Sequence, residues 1–115
     1  MTYQGSCHCG KVAYAVDGEA QEATECNCSI CSRRGYLLWF VPESQFRLKT
    51  PEADLSYYTF NTHRIRHYFC PTCGSAVFGK GAGKDGKIMV AVNLRCLPDL
   101  DLGTVKRKFF DGKRL

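Results

Sequence analysis

The chain has 115 residues, of which 44% are hydrophobic and 12% aromatic, and this composition excludes a disordered tail. Its formal net charge is +5, but the basic residues fall into separate groups and form no basic-aromatic stripe, so nucleic acid is not an expected partner. The longest apolar run has six residues, which excludes a membrane-spanning helix. No signal-peptide pattern opens the sequence, so we expect one cytoplasmic domain over residues 1–115, with its thiols reduced.

Eight segments predict β-strands, and no segment predicts a helix longer than one turn. The first alternates in polarity and places Val12, Tyr14 and Val16 on one face. In chain order the predicted strands are residues 11–17, 23–26, 36–41, 55–60, 66–69, 76–79, 88–94 and 105–110. Residues 42–46 predict a helical turn, and the glycine-rich residues 80–86 predict a hairpin connection. The pattern favours a mainly β domain.

Seven of the eight cysteines form three tight clusters, while Cys96 stands alone. The clusters are the pair Cys7 and Cys9, the trio Cys26, Cys28 and Cys31, and the pair Cys70 and Cys73. Two thiols from one tight turn rarely form a disulfide with each other, but they suit one tetrahedral metal ion. Two pairs together would make a closed, structural site, whereas a trio leaves one coordination position open for a ligand.

The residues beside the cysteines support a metal interpretation. Proline at position 71 fixes one backbone angle, and Gly74 and Gly10 can adopt positive φ, so backbone N–H groups can point at the thiolates. A small domain also gains stability from a bound metal. Spacing alone does not tell which clusters share a metal, and an oxidised disulfide framework is the alternative.

The order of these motifs resembles the family of glutathione-dependent formaldehyde-activating enzymes over nearly the whole chain. The resemblance rests on Gly5-Ser6-Cys7-His8-Cys9-Gly10, Cys26-Asn27-Cys28-Ser29-Ile30-Cys31, Phe40-Val41-Pro42 with Phe46, Arg66 with Phe69-Cys70-Pro71-Thr72-Cys73-Gly74-Ser75, and Val92-Asn93-Leu94 before Leu97-Pro98-Asp99. The sequence of the trio segment, together with Asn61-Thr62-His63, is most similar to the branch that includes centromere protein V. The resemblance implies a small zinc-stabilised β-sandwich-like fold of the Mss4-like type.

The resemblance also implies two zinc sites of different character. Four cysteines would hold a structural zinc: Cys7, Cys9, Cys70 and Cys73. The trio Cys26, Cys28 and Cys31 would hold a second, exchangeable zinc and act as the catalytic site. The chain departs from the family in the short segment 32–35 after the trio, and in Cys96, which matches no family ligand.

The reaction that the resemblance implies is the addition of glutathione to formaldehyde, which gives an S-hydroxymethyl adduct; its reverse is a carbon–sulfur lyase reaction. The partners would then be a small-molecule thiol and an aldehyde. Because glutathione carries two carboxylates, we expect Arg33, Arg34 and Arg66 to bind it.

Several alternatives remain at this point. The trio could be a second structural site, closed by Cys96 or His8, and the protein a non-catalytic zinc-stabilised interaction module, similar to centromere protein V or a nucleic-acid binder. His63 and His67 are more typical of surface or strand histidines than of acid–base groups. Both Trp39 and Phe40 are predicted in the core, with at most one of them at a pocket, and Cys96 is predicted as a buried free thiol.

Overall fold

The computed structural model describes residues 1–114 and is built mainly of β-strands. The strands are β1 (Thr2–Ser6), β2 (Ala13–Asp17), β3 (Glu22–Cys26), β4 (Leu38–Pro42), β5 (Phe46–Leu48), β6 (Ser56–Tyr58), β7 (Arg66–Phe69), β8 (Ala76–Ala82), β9 (Ile88–Asn93) and β10 (Lys106–Phe110). One α-helix is described, α1 (Ser29–Arg34), with 3-10 turns at Glu43–Gln45, Glu52–Asp54, Leu94–Cys96, Leu102–Thr104 and Gly112–Arg114. The predicted mainly β, Mss4-like fold is confirmed.

The strands form two sheets that share one hydrophobic core. A three-stranded antiparallel sheet has the order β1-β2-β5, and a seven-stranded sheet has the order β10-β3-β4-β9-β8-β7-β6. Tyr14 on β2 packs against Phe46 on β5 and against Phe78 on β8, with ring centroids 5.1 Å and 5.7 Å apart. These contacts join the two sheets through aromatic side chains, which bury large apolar areas.

The alternating pattern of the first predicted strand is confirmed, since Val12, Tyr14 and Val16 are all fully buried. The strand itself is shorter than predicted and begins at Ala13. The predicted hairpin is present but tighter, because β8 continues to Ala82 and the turn closes through a 2.8 Å hydrogen bond from the Gly83 N–H to the Lys87 carbonyl.

Among the described strands and helices, β1, β5, α1 and the 3-10 turns other than Glu43–Gln45 were not predicted. The expectation that no helix exceeds one turn was wrong for α1, whose six residues are too few to show a 3.6-residue period. The core prediction for Phe40 was also wrong, because its side chain is 52% exposed, whereas Trp39 packs against the core. In the described part of the chain, no helix is long and apolar enough to cross a membrane.

The two faces of the seven-stranded sheet belong to two different hydrophobic clusters. On β9, Val90 and Val92 are fully buried in the main core, while Ala91 between them points to the other face. That outer face carries a second, smaller hydrophobic cluster, in which Cys31, Tyr36 and Leu38 are buried and Ala91 packs against them. The outer face is therefore the floor on which the trio of cysteines lies.

Candidate metal centres and the adjoining pocket

The two cysteine pairs meet between the turn that joins β1 to β2 and the turn that joins β7 to β8. We call Cys7, Cys9, Cys70 and Cys73 the quartet; their sulfur atoms all lie within 4.8 Å of one another. The Sγ atom of Cys9 is 3.6 Å from that of Cys7 and 3.7 Å from that of Cys70. Tetrahedral zinc with sulfur at about 2.3 Å needs sulfur–sulfur distances of roughly 3.8 Å. The quartet therefore fits a metal such as zinc.

Backbone geometry in both turns suits metal-binding knuckles. The Val12 N–H donates to Cys7 Sγ at 3.3 Å, and the Thr72 N–H donates to Cys70 Sγ at 3.4 Å. Gly10 and Gly74 follow the paired cysteines with φ of 84° and 80°, which a residue with a Cβ rarely adopts. The glycine positions were predicted from the sequence, and the predicted backbone conformation is confirmed.

The thiols of the quartet differ in acidity because their hydrogen bonds differ and because each thiol affects the ionisation of its neighbours. A hydrogen bond with the Ser75 hydroxyl, aided by the backbone N–H of Cys9, lowers the pKa of Cys73 to about 5. A backbone hydrogen bond from Lys11 lowers the pKa of Cys9, but desolvation and the neighbouring thiols outweigh it and raise that pKa to about 11. One thiolate forms easily and makes the next harder to form, which a bound dication would offset.

The trio is assembled by β3 and α1. Cys26 ends β3, Cys28 is the N-cap residue of α1 and Cys31 lies inside that helix, so the three sulfur atoms fall within 4.8 Å of one another. The Cys28 N–H donates to Cys26 Sγ at 3.4 Å. Burial raises the pKa of Cys31. Partial burial would also raise the pKa of Cys28, but hydrogen bonds, above all from the Cys31 N–H, outweigh it and lower that pKa. The trio could hold a metal with one open position.

Neither sequence-based candidate for a fourth protein ligand lies in the trio. Cys96 packs against the main core, where its thiol donates to the Ala76 carbonyl at 3.7 Å and burial raises its pKa to about 11. His8 is exposed in the quartet turn, and its backbone N–H donates to Ser75 Oγ. All eight cysteines are free, so the trio does not form disulfides.

An apolar pocket of about 420 Å³ opens beside the trio on the outer face of the seven-stranded sheet. All three trio cysteines line it, whereas no quartet cysteine does. Six strands contribute to its floor and sides, and Phe60 and Ile65 close it from the β6–β7 connection. We call this cavity the trio pocket.

The C-terminal segment, residues 109–114, covers one side of the trio. Phe110 lines the trio pocket, and buried Gly112 lies so close that a Cβ there would be 2.6 Å from Cys26 Sγ. Asn27, between two trio cysteines, accepts a 2.8 Å hydrogen bond from the Lys113 N–H. The segment is thus a wall of the site.

A second cavity, also of about 420 Å³, carries two of the three predicted arginines. We call it the arginine groove; Arg33 and Arg34 line it, and it shares Ile30 and Phe60 with the trio pocket. The guanidinium of Arg34 donates to the Tyr36 hydroxyl at 2.9 Å. Arg66 lines neither cavity, because it lies over the ring of Tyr57 at 4.7 Å.

Comparison with known proteins identifies the family of this chain. The sequence model of a family described as glutathione-dependent formaldehyde-activating enzyme matches residues 2–108. The chain belongs to this family. The crystal structure of a Rhodobacter sphaeroides protein is similar to this chain with a TM-score of 0.76 and 30% identity, over 94% of this chain and 100% of that one.

Membership of the glutathione-dependent formaldehyde-activating family confirms the resemblance drawn from the sequence, and both cysteine clusters could hold the metal ions expected there. The closer likeness to the centromere protein V branch stays a prediction. Residues 109–114 lie beyond the family match. The part of the trio site that they supply is therefore outside what the family pattern describes.

Sequence reasoning missed most of the pocket walls. His67 lines the trio pocket half-buried and stacks on Phe60 at 5.5 Å; burial and the charge of Arg34 lower its pKa. Lys108 and Phe110 line the same pocket from β10. The alternation of each strand could have indicated these positions, but only once the neighbouring strands were known.

Proposed function

We propose that this member of the family catalyses the reversible addition of a thiol to an aldehyde at the trio, with glutathione as the thiol. One observation carries the proposal: the three thiols that could hold a metal with an open position also line a pocket, while the quartet does not line it. A closed site serves stability, whereas an open site beside a cavity can receive a ligand. We propose formaldehyde, the aldehyde of the family description, as the simplest second substrate.

In this proposal the residues Cys26, Cys28 and Cys31 would hold zinc, which would keep an incoming thiol in its thiolate form. The mostly apolar walls of the trio pocket would limit the access of water to a bound aldehyde. His67 faces the same pocket, and its lowered pKa keeps its imidazole neutral near pH 7. A neutral imidazole can accept the proton that the thiol loses and return it to the aldehyde oxygen.

The arginine groove suits the carboxylates of glutathione. Arg33 and Arg34 lie beside Ile30, which separates the groove from the trio pocket, so one ligand could span both cavities. Arg34 is already oriented by its hydrogen bond to the Tyr36 hydroxyl. The role of Arg66 as a substrate ligand stays a prediction, and its contact with Tyr57 favours Arg33 and Arg34 over it.

A non-catalytic interaction module is the second candidate, and β10 favours it. All five residues of this strand are exposed, including Phe109 and Phe110 beside three basic residues, and among the described strands it pairs with β3 alone. Exposed aromatic and basic side chains on a sheet edge can bind a partner. The absence of a nucleic-acid partner remains a prediction.

Exchange spectroscopy with ¹³C-formaldehyde and glutathione tests the proposal. The zinc-loaded protein should speed exchange between free formaldehyde and the S-hydroxymethyl adduct in proportion to its concentration. Cys28→Ser should abolish this effect while preserving the fold, because serine is a favoured N-cap residue and Cys28 is the N-cap of α1. Cys96→Ser is the matched control and should exchange like the wild type. If the fully metallated wild type adds nothing to the spontaneous rate, the interaction module is the better function.

A further inference from the structure

Resting on the proposed function, we propose that the protein accepts, besides formaldehyde, an aldehyde with an apolar substituent of about the size of an aromatic ring, and that this substituent occupies the trio pocket. The carboxylates of the thiol would then lie in the arginine groove. Ile30 and Phe60, which the two cavities share, would separate the apolar part of the bound pair from the charged part.

The walls of the trio pocket carry this inference. Across the floor, Leu38 and Phe40 of β4 are followed by Ala91 of β9, and all three present hydrocarbon. Phe60 and Phe110 add aromatic rings at the sides. Burying a charged group against such walls would be costly, whereas an apolar substituent is stabilised in proportion to its buried area.

Backbone packing keeps this pocket open and apolar. Ile65 lies over β8 at two glycines, Gly79 and Gly81, where an added Cβ would come within 3.7 Å and 3.1 Å of its side chain. The absence of side chains at these positions lets Ile65 settle over the sheet and leaves space beside Gly79, which itself lines the pocket. Lys108, from the edge strand β10, is the only lysine, arginine, aspartate or glutamate in the described lining.

The size of the pocket argues against formaldehyde as its sole occupant. An engineered protein cavity of roughly 150 Å³ holds a benzene molecule. The trio pocket, at about 420 Å³, therefore has room for an aromatic ring as well as the reacting carbonyl and sulfur. Formaldehyde bears only hydrogen on its carbon and would leave these apolar walls without a partner.

The reaction balances without an oxidant or reductant. The thiol sulfur uses one electron pair to form a bond to the carbonyl carbon, while the carbon–oxygen π bond breaks toward oxygen. The oxygen takes up the proton that the thiol lost. The product is a hemithioacetal that carries the apolar substituent on its former carbonyl carbon.

Competition between aldehydes tests the inference. With glutathione held constant, kcat/KM for phenylacetaldehyde should exceed kcat/KM for acetaldehyde by about tenfold or more, because even one methylene in an apolar pocket gives roughly a tenfold preference. Ala91→Leu should fill the pocket and remove this preference. Should Ala91→Leu fail to fold, Ile65→Ala, at a side chain that is 49% exposed, should still lower the preference several-fold. Ile88→Ala, at an exposed isoleucine outside the pocket, should leave it unchanged.

Binding of phenylacetamide, which has the same shape but cannot react, provides a readout apart from turnover. Methyl resonances of Ile65 and Ala91 should shift on titration, and the Ile65 shift should disappear in Ala91→Leu. If formaldehyde is turned over while phenylacetaldehyde has no advantage and phenylacetamide does not bind, this inference is overturned and the proposed function stands. If phenylacetamide binds but no aldehyde reacts, the apolar site is upheld and the proposed function fails.

Discussion

The side-chain amide of Asn27 donates a 2.8 Å hydrogen bond to the Asp111 carboxylate, and this contact joins the trio turn to the end of the chain. The amide oxygen also accepts a 2.8 Å bond from the Lys113 N–H. Between these two anchors, buried Gly112 packs on the trio, at a place where a Cβ would meet Cys26 Sγ at 2.6 Å. Asn27 thus positions the wall that covers the trio.

Asn27→Ala should release this wall without unfolding the sheets. Each lost hydrogen bond contributes about 0.5–1.5 kcal/mol, so the Lys113 amide should exchange its hydrogen roughly tenfold faster or more. Hydrogen-exchange NMR measures this directly. Asp111→Asn is the matched control, since its amide oxygen can still accept from Asn27 and protection should largely remain. Unchanged exchange in Asn27→Ala would remove the anchoring role.

Loss of a quartet cysteine should unfold the protein. Structural zinc contributes about 10–16 kcal/mol of apparent binding energy, which equals or exceeds the stability of a small domain. Cys70→Ser should therefore lose one metal and its cooperative transition, as followed by metal analysis and circular dichroism. Cys96→Ser, outside both clusters, should keep that metal and the cooperative transition. A metal-free Cys70→Ser protein that still unfolds cooperatively would contradict the structural role of the quartet.

Mild chelation should remove metal from the trio before the quartet. Three thiols and an exchangeable ligand hold zinc less firmly than four thiols on two turns. One equivalent of metal should leave at low chelator concentration while circular dichroism stays constant, and a second should leave only with unfolding. Simultaneous loss of both metals with the fold would show that the trio is structural.

Local patterns predicted the parts of the fold that depend on neighbouring residues. β7 has the predicted bounds, and the glycines at positions 10 and 74 have the predicted positive φ, because proline, glycine and cysteine spacing act within one turn. β1 and α1 escaped prediction for a related reason. The six residues of α1 are too few for a helical period, and β1 is held by a partner distant in sequence, as when Thr2 pairs with Asp17.

The composition of the trio pocket depends on strand order and could not be read from the sequence. His67, Gly79 and Ala91 come from three strands that become neighbours only in the folded sheet. The same dependence explains why Arg66 does not line the trio pocket, although its sequence position near the Cys70 turn suggested that it would. Strand alternation directs His67 to the trio pocket and its neighbour Arg66 to the ring of Tyr57.

Removal of an arginine from the groove should weaken glutathione binding. Arg34 is partly buried, so Arg34→Ala should cost about 1.5–3 kcal/mol, whereas exposed Arg33 should contribute about 1 kcal/mol or less. Titration calorimetry with wild type, Arg33→Ala and Arg34→Ala measures both effects. Arg66→Ala tests the remaining sequence-based prediction, and we expect little change.

An S-methyl glutathione should bind much more weakly than glutathione, because it offers no thiolate; equal binding would exclude a thiolate contact.

His67 should make the stability of the protein fall as the pH drops below about 6.5. Burial and the charge of Arg34 lower its pKa below the usual value of 6.5, so between the two pKa values the unfolded chain binds more protons than the folded one. The free energy of unfolding therefore rises with pH in this window. The contribution of neutral His67 is complete above pH 6.5 and is lost as the pH falls through the folded-state pKa.

Urea unfolding of the metal-loaded protein at pH 7.5 and pH 5.5 measures this effect. His67→Gln should show a smaller loss of stability between the two pH values than the wild type, since glutamine cannot titrate. Protonation of the cysteine ligands affects both proteins alike, so the difference between the two pH dependences isolates His67. Identical pH dependences of wild type and His67→Gln would mean that His67 is protonated as readily in the folded protein as in the unfolded chain.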